Sequence, residues 1–585
     1  MTRPGIAGRL RAAARTIGIP AGALRSDLPE LLGVPSTITP DLNAHWRRVL
    51  ARSRATLAVL PPPTGPKIAV VTQMSKGYTN AGYSAVMAYA LRLRGADPFI
   101  VFCDSWLDGC EFVSGKVMDT ETFAALGPRP LCAACNGLAR RLYATLGLPT
   151  YQLSSLAEPG GLRHAIDSAN ALPRDRYYDF AYKDLELGPL VEASVTRFFL
   201  TNQPPTSELD WAIAKRMLRG GVMAAEAALG LERTLQPDLY LLHWGTYVAR
   251  GTVRLAALAA GKRCVVWSRG YGLEEVLMFG EGENALVSMS NETNGHWEDL
   301  RLTSEQDAQL EELLADRSNR NVDVQYIDPS GANNAPHLDL ACLRLDPDRP
   351  IVTAYTNIGF ETKAWYDTPL YPDGDSWILD TIRLFAGRPE QLVIRVHPNE
   401  AWLPGTNSRQ TIDLVARDFP ELPENVRIVP PESKLSSYEL ARVSAAVLLY
   451  GSLIGLELAA AGKPVIAAGR AAYWQKGFTY DVHTRADYES FVSKLGEIAK
   501  PDADRSRRAR AFAYYFYFLR NVPFAQWNHD VHPGLWLKPW WKVFRSLDDL
   551  LPGRDPNLDA ICDHILSGTV AHSQIPVRYL PSAAR

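Results

Sequence analysis

No uninterrupted apolar run in this 585-residue chain reaches the roughly 20 residues that cross a bilayer as a helix. The longest candidate, around 445–461, is interrupted by a Gly451-Ser452 turn and by Glu457. The N-terminal stretch MTRPGIAGRLRAAARTIGI has Arg3, Arg9, Arg11 and Arg15, no acid, and none of the apolar centre of a secretory signal. It reads as a basic surface helix, although a transit peptide has the same Arg-rich, acid-poor look. Net charge is also lacking. The 62 Lys and Arg against 64 Asp and Glu leave a formal −2, so no global basic field points to nucleic acid. Cysteine is scarce, at seven residues, an odd number that argues against a secreted disulfide scaffold and for a reducing cytoplasm. There is no GxGxxG after the first strand pattern, hence no dinucleotide fingerprint, and no DxD metal motif in a plausible loop.

The remaining composition, 46% hydrophobic and 22% charged, is that of a globular protein of two or three domains. Residues 1–60 read as a helical extension, closed by Pro61-Pro62-Pro63. KIAVVTQ (67–73), a helix through Ala85–Arg94 and PFIVFCD (98–104) give a βαβ opening. The alternation continues through helices near 132–146 and 207–231, then DLYLLHW (238–244), VARGTVRLAALAAG (248–261) and KRCVVWSRG (262–270). A first Rossmann-like domain over 61–325 follows, with an Asn-, Asp- and Pro-rich hinge at 317–349. A second, over 345–500, is expected from RPIVTAYTN (349–357), SWILDTIRLFAG (376–387), LVIRVHP (392–398), VRIVP (426–430), AAVLLYG (445–451) and PVIAAG (464–469). Residues 501–585 form a helical, aromatic-rich segment. Its basic, aromatic run 502–524 could lie in a membrane interface, but it lacks a clean polar face and is expected to pack back across both domains.

Two strand-then-turn signals carry the functional reading. Ligands of open α/β sheets bind beyond the carboxyl ends of strands. His397-Pro398 ends one strand, with Arg395 two positions earlier on the same face, and a His there can donate to a phosphate or sugar oxygen. Tyr450-Gly451-Ser452 ends the other and leads into a helical pattern containing Gly455 and Glu457. Free N–H groups and the positive dipole end suit a phosphate. Ser452 is expected to cap that helix, Gly451 and Gly455 to leave room for a ligand, and Glu457 to accept both hydroxyls of a ribose. Together these have the chemistry of a nucleotide-sugar pocket. Ser437 could contact base or phosphate or simply open a helix, and the 469–479 loop offers Tyr473 and Gly477 to a sugar. Lys363 and Arg395, with helix dipoles, could neutralise a leaving phosphate without a metal. An acid or base must then come from strand tips of the first half, where Asp104, His243 and Glu274 are the candidates. Four cysteines cluster in sequence, Cys103, Cys110, Cys132 and Cys135. They read either as ordinary thiols or as a structural zinc site, and no cofactor is expected for catalysis.

The stretch from TNIGFETKAWYD through LVIRVHPNE, ENVRIVPPES and SSYELARVSAAVLLYGSLIGLELAAAGKPVIAAG to WQKGFTYDVHTRADY resembles the capsule polysaccharide biosynthesis family, which includes Kdo-transferase-like proteins. The resemblance covers about 350–490 and implies a GT-B fold, two Rossmann-like domains facing a cleft. It also implies nucleotide binding by His397, Ser452 and Glu457, with Asn357 lining the cleft. The family form has Thr-Ser before its Gly-Leu-Glu element. This chain has Gly451-Ser452, which leaves the hydroxyl contact to Ser452 alone. The implied function is a cytoplasmic glycosyltransferase, free or held at the inner membrane face, moving a sugar from a CMP-, UDP- or GDP-linked donor to a surface polysaccharide or lipid-linked acceptor. A nucleotide-sugar epimerase of the same shape and a non-catalytic polysaccharide export or binding protein are the alternatives. Polyol-phosphate transferases are disfavoured because Tyr450 stands where they carry an acid.

Overall fold

Short runs of branched and aromatic residues form the strands of this protein, and most are buried on both faces. Such strands suit a parallel sheet covered by helices. The computed structural model describes residues 42–72, 78–115, 117–201, 205–272, 275–320, 343–359, 370–402, 411–498, 502–526 and 544–575. In the first half the strands are β1 (Lys67–Val71), β2 (Asp97–Phe102), β3 (Thr150–Gln152), a small hairpin β4 (Ala181–Tyr182) and β5 (Leu185–Glu186), β6 (Leu239–His243), β7 (Arg263–Arg269) and β8 (Val276–Glu281). The second half has β9 (Ile351–Tyr355), β10 (Gln391–Arg395), β11 (Val426–Val429), β12 (Ala446–Tyr450), β13 (Val465–Gly469) and β14 (Tyr480–Asp481), and β15 (Val522–Pro523) follows.

The first sheet runs β15-β8-β7-β6-β1-β2-β3 and the second β11-β10-β9-β12-β13-β14. Within each, the first strand lies inside the sheet, the next two extend to one side and the later strands, four in the first sheet and three in the second, to the other. Pairing is parallel throughout the second sheet and from β3 to β7 in the first, with Val71 opposite both Val101 and Leu242. Among the described residues of the first sheet, the antiparallel pairings are β7 with β8 and β8 with β15. This is a pair of Rossmann-like halves, an α/β protein of GT-B-like architecture, and each sheet reverses its strand order beside its first strand.

Helices cover the sheets for local reasons. The helix Glu208–Leu235 starts in a capping box, with the Ser207 side chain accepting from Asp210 N and the Asp210 side chain accepting in return. It buries Trp211, Met217, Leu218 and Val222 against the first sheet's core. The helix Gly374–Phe385 is capped by Asp373 and buries Trp377, Ile378, Ile382 and Phe385 in the second.

The C-terminal aromatic run packs inward. The helix Ala503–Tyr514 continues into a π-helical turn at Tyr515–Leu519, where Tyr515, Phe516, Tyr517 and Phe518 are buried. One apolar cluster joins Met278, Ala285 and Trp297 of the first half to Leu449, Leu456 and Phe478 of the second through Phe512 and Phe516. The chain then crosses back. Asn521 Oδ1 accepts from Tyr271 N (2.6 Å), and β15 extends the first sheet at β8. Loops beyond the carboxyl ends of the second sheet also meet the first half: Arg470 donates to Asn291 (2.8 Å), and buried Lys476 donates to the carbonyls of Ser290 and Glu292 (3.2 and 2.5 Å). Among the described residues, no helix is long and apolar enough to cross a membrane.

Candidate functional site

Because β9 lies between β10 and β12, the residues that follow these three strands are neighbours. Asn357 bridges the point where the strand order reverses: its Nδ2 donates to Gly451 O (3.1 Å) and its Oδ1 accepts from Ile358 N (2.7 Å). His397 N donates to Thr356 Oγ1 (2.8 Å), which ties the β10 end to the β9 end. The His397 ring accepts Asn399 N–H at Nδ1 (3.1 Å). An acceptor Nδ1 leaves the neutral ring's proton on Nε2, a donor for a phosphate or hydroxyl oxygen. Asn357, His397, Pro398, Gly451 and Ser452 are all partly exposed. Gly451 has φ +70°, a conformation that favours glycine.

Several residues expected at a ligand serve the protein instead. Ser452 does not cap the helix Ile454–Ala460, because Leu453 holds the N-cap position without a side-chain bond. The Ser452 carbonyl accepts from the Tyr473 hydroxyl (2.6 Å). Tyr473 is fully buried, which places it beneath the turn and out of reach of a sugar. A Cβ on Gly455 would lie 2.1 Å from the Tyr473 hydroxyl, so that glycine makes room for the tyrosine. Gly477, at φ +79°, packs under Arg508. Arg395 is buried, and its guanidinium donates to the carbonyls of Pro430 (2.7 Å) and Ser433 (3.3 Å), which pins the loop after β11. Ser437 opens the helix Ser437–Val443, which Ser436 caps, and its carbonyl accepts from the Tyr355 hydroxyl (2.8 Å). Lys363 and Glu274 lie outside the described residues.

Glu457 is the clearest correction. It is 3% exposed, and its carboxylate accepts from Arg317 Nε (2.5 Å), the Tyr517 hydroxyl (2.6 Å) and the Tyr438 hydroxyl. These partners come from the helix Ser304–Arg320, the C-terminal π-turn and the helix Ser437–Val443. The lone pairs expected to receive a ribose already join three segments of the chain.

In the first half, Asp104 is partly exposed beyond β2 and accepts from Ser154 Oγ (2.5 Å) and Ser154 N (3.2 Å). His243 ends β6 and is buried, with Nδ1 2.7 Å from Arg250 Nη1. A guanidinium can only donate, so Nδ1 accepts and the ring proton sits on Nε2. Burial first, then the charges of Arg250 and Arg269, hold its pKa well below the usual histidine value. His243 is therefore a neutral donor, and the general-base role expected of it does not fit. Arg250 in turn donates to Glu111 (2.7 Å), whose other oxygen accepts Ala249 N (3.0 Å) in the first turn of the helix Val248–Ala259.

Sequence reading passed over Glu400, three residues after His397. Its carboxyl is buried and accepts from Thr411 N (3.1 Å) and Thr411 Oγ1 (2.8 Å). Burial pushes its pKa up to about 7, against the Thr411 bonds and with help from Asp375 and Glu432. The folded protein thus binds a proton here between about pH 4.5 and 7 that the unfolded chain releases. This contribution to stability is full below 4.5, falls as pH rises to 7, and is flat above, for a loss of about 3 kcal/mol. Glu400→Gln is expected to remove that slope and to melt higher than wild type at pH 8. Parallel melting curves of the two proteins from pH 5 to 8 would refute it.

The four clustered cysteines share one neighbourhood. Burial, followed by the nearby Cys103 thiol, raises Cys132 to about 12, and burial likewise raises Cys103, Cys110 and Cys135. Among the described residues, no group of three or more His, Cys, Asp or Glu side chains is placed to hold a metal ion. All four are free thiols of intermediate exposure.

No family model matches the chain, and no curated protein matches it. Among solved structures it is similar to the beta Kdo 2,4 transferase KpsC of Thermosulfurimonas dismutans, with 14% identity, 49% of this chain and 82% of that chain covered, and a TM-score of 0.32. It is similar to the UDP-GlcNAc 2-epimerase of Neisseria meningitidis bound to UDP-GlcNAc, with 11% identity, 76% and 97% covered, and a TM-score of 0.24. It is also similar to the glycosyltransferase SsfS6 of Streptomyces sp. SF2575 complexed with thymidine diphosphate, with 14% identity, 77% and 95% covered, and a TM-score of 0.20.

Proposed function

We propose that this protein binds a nucleotide-sugar where β9, β10 and β12 end and transfers the sugar to a glycan or lipid-linked acceptor. The observation that carries the reading is the convergence of Asn357, His397 and the Gly451-Ser452 turn at the strand-order reversal, with a His donor and a partly exposed serine beside a glycine turn. His397 Nε2–H and the Ser452 hydroxyl donate to the phosphate oxygens. In the transfer, the bond between the anomeric carbon and the phosphate oxygen breaks, and its electron pair leaves with the nucleotide. The acceptor oxygen bonds to that carbon and gives its proton to a base. Asp104, a carboxylate at a strand tip of the first half, takes the proton in this scheme. The resemblance to the capsule polysaccharide family adds a surface polysaccharide as the acceptor class.

The test is a thermal-shift panel of CMP, UDP, GDP and CDP on the wild-type protein, because a ligand that binds the folded state raises its melting temperature. One nucleotide is expected to stabilise wild type, and His397→Ala to reduce that shift by at least half. Asp104→Asn is expected to keep the shift and lose transfer. No shift with any nucleotide sinks the proposal, and an isomerised donor formed without acceptor replaces transfer with epimerisation.

A further inference from the structure

The surface of the N-terminal helices has a feature unrelated to the strand-end site. A groove of about 370 Å³ opens between the helix Leu42–Arg52 and the segment Phe544-Arg545. Among the described residues, His45, Arg48, Val49, Arg52, Phe544 and Arg545 line it, and none of these is an acid. Its floor is built: Phe544 is buried and packs edge-on against His45 (5.0 Å) and Trp46 (5.2 Å). Its rim is charged. Arg48 and Arg52 stand one turn apart on the same helix face, and both are exposed, as is Arg545. Among the described residues, none of these three side chains has an ion pair. The two acids that follow Arg545 are committed elsewhere, since Asp549 accepts from Arg545 N and Ser546 N, and Asp548 from the hydroxyls of Thr56 and Ser546.

The positive field is strong enough to act on its neighbour. After burial, Arg48 and Arg52 are what lower the pKa of His45. Like charges gathered around one groove repel each other unless an anion joins them. Guanidinium groups are the side chains best shaped for phosphate. Arg47 and Arg54 are exposed on the same stretch, as is the apolar Val59 at 81% exposure. Five arginines exceed the need of a single small anion and suit an array of headgroups. All this sits on a chain with a formal net charge of −2, so the patch is local.

We propose that this groove and its arginine rim dock the protein on the anionic headgroups of a lipid bilayer. The test is cosedimentation of the full chain with phosphatidylcholine vesicles, with and without phosphatidylglycerol. Wild type is expected to sediment only with the anionic vesicles, and less so as salt rises. At about fivefold per arginine, R48A/R52A/R545A is expected to bind about a hundredfold more weakly. The charge-keeping variant R48K/R52K/R545K is expected to retain vesicle binding. All three side chains are exposed, and an unchanged melting temperature confirms that each variant folds. Absence of wild-type binding to anionic vesicles, or equal binding by the alanine variant, overturns the proposal. Calorimetric binding of inorganic diphosphate without vesicle binding also overturns it, in favour of a small-anion site. The nucleotide-induced thermal shift should be the same in all three proteins, which separates a failure here from a failure of the strand-end site.

Discussion

Glu457→Ala is expected to destabilise the protein by about 3–5 kcal/mol, measured as a shift in the urea midpoint at constant slope. The carboxylate is 3% exposed, and Arg317, its ion-pair partner, has a side chain only 13% exposed. Removing the acceptor takes a bond from a cation and from two tyrosine hydroxyls, one of them on the fully buried Tyr517. Each bond lost to the buried carboxylate costs about 1.5–3 kcal/mol. Pairing the change with Arg317→Met should recover part of the loss, since replacing both members of a buried pair costs less than breaking it. A free ribose ligand would behave differently. If Glu457→Ala lost under about 1 kcal/mol while abolishing the nucleotide shift, the carboxylate would be a ligand residue after all.

What could be read from the sequence, and what could not, divides by range. KIAVV, LYLLH, LVIR and AVLLY announce buried parallel strands because each is a short apolar run that stops at a polar residue or a glycine. The aromatic run after residue 510 offered no polar face, and the structure buries it. By contrast, β15 is two residues long and ends in proline, so nothing local marks it. It is defined only by pairing with β8, some 245 positions earlier. The site divides in the same way. The Gly451 turn and His397 lie at strand ends and were visible. The role of Glu457 depends on partners at 317, 438 and 517, which no local pattern connects. For His243, half of the answer was within reach, because Arg250 lies only seven residues on, in the next helix. The other half, Glu111, comes from a distant loop.

That buried chain of Glu111, Arg250 and His243 supports the second large effect. The Arg250 side chain is 4% exposed and that of Glu111 is 1% exposed, so Glu111→Ala leaves a guanidinium in the interior without its counter-ion. Its remaining neighbours are the His243 ring nitrogen and the face of Phe112, 4.7 Å from the guanidinium carbon, and neither carries negative charge. The Ala249 N–H also loses its acceptor at the start of the helix Val248–Ala259. The expected loss is again about 3–5 kcal/mol, and Arg250→Met in the same chain should restore part of it. The pH dependence gives a second readout. His243 has its pKa held below 6.5 in the fold, so the unfolded chain binds the extra proton, and stability falls as pH drops below about 6.5. Arg250→Met removes one of the charges that depress it and should shift that acid-side loss to lower amplitude. A histidine serving as a catalytic base would require the opposite arrangement, with Nδ1 donating to a carboxylate and Nε2 free to accept. If Arg250→Met left both stability and its acid-side slope unchanged, the guanidinium would not be bonded to the ring, and the neutral-donor assignment of His243 would fail.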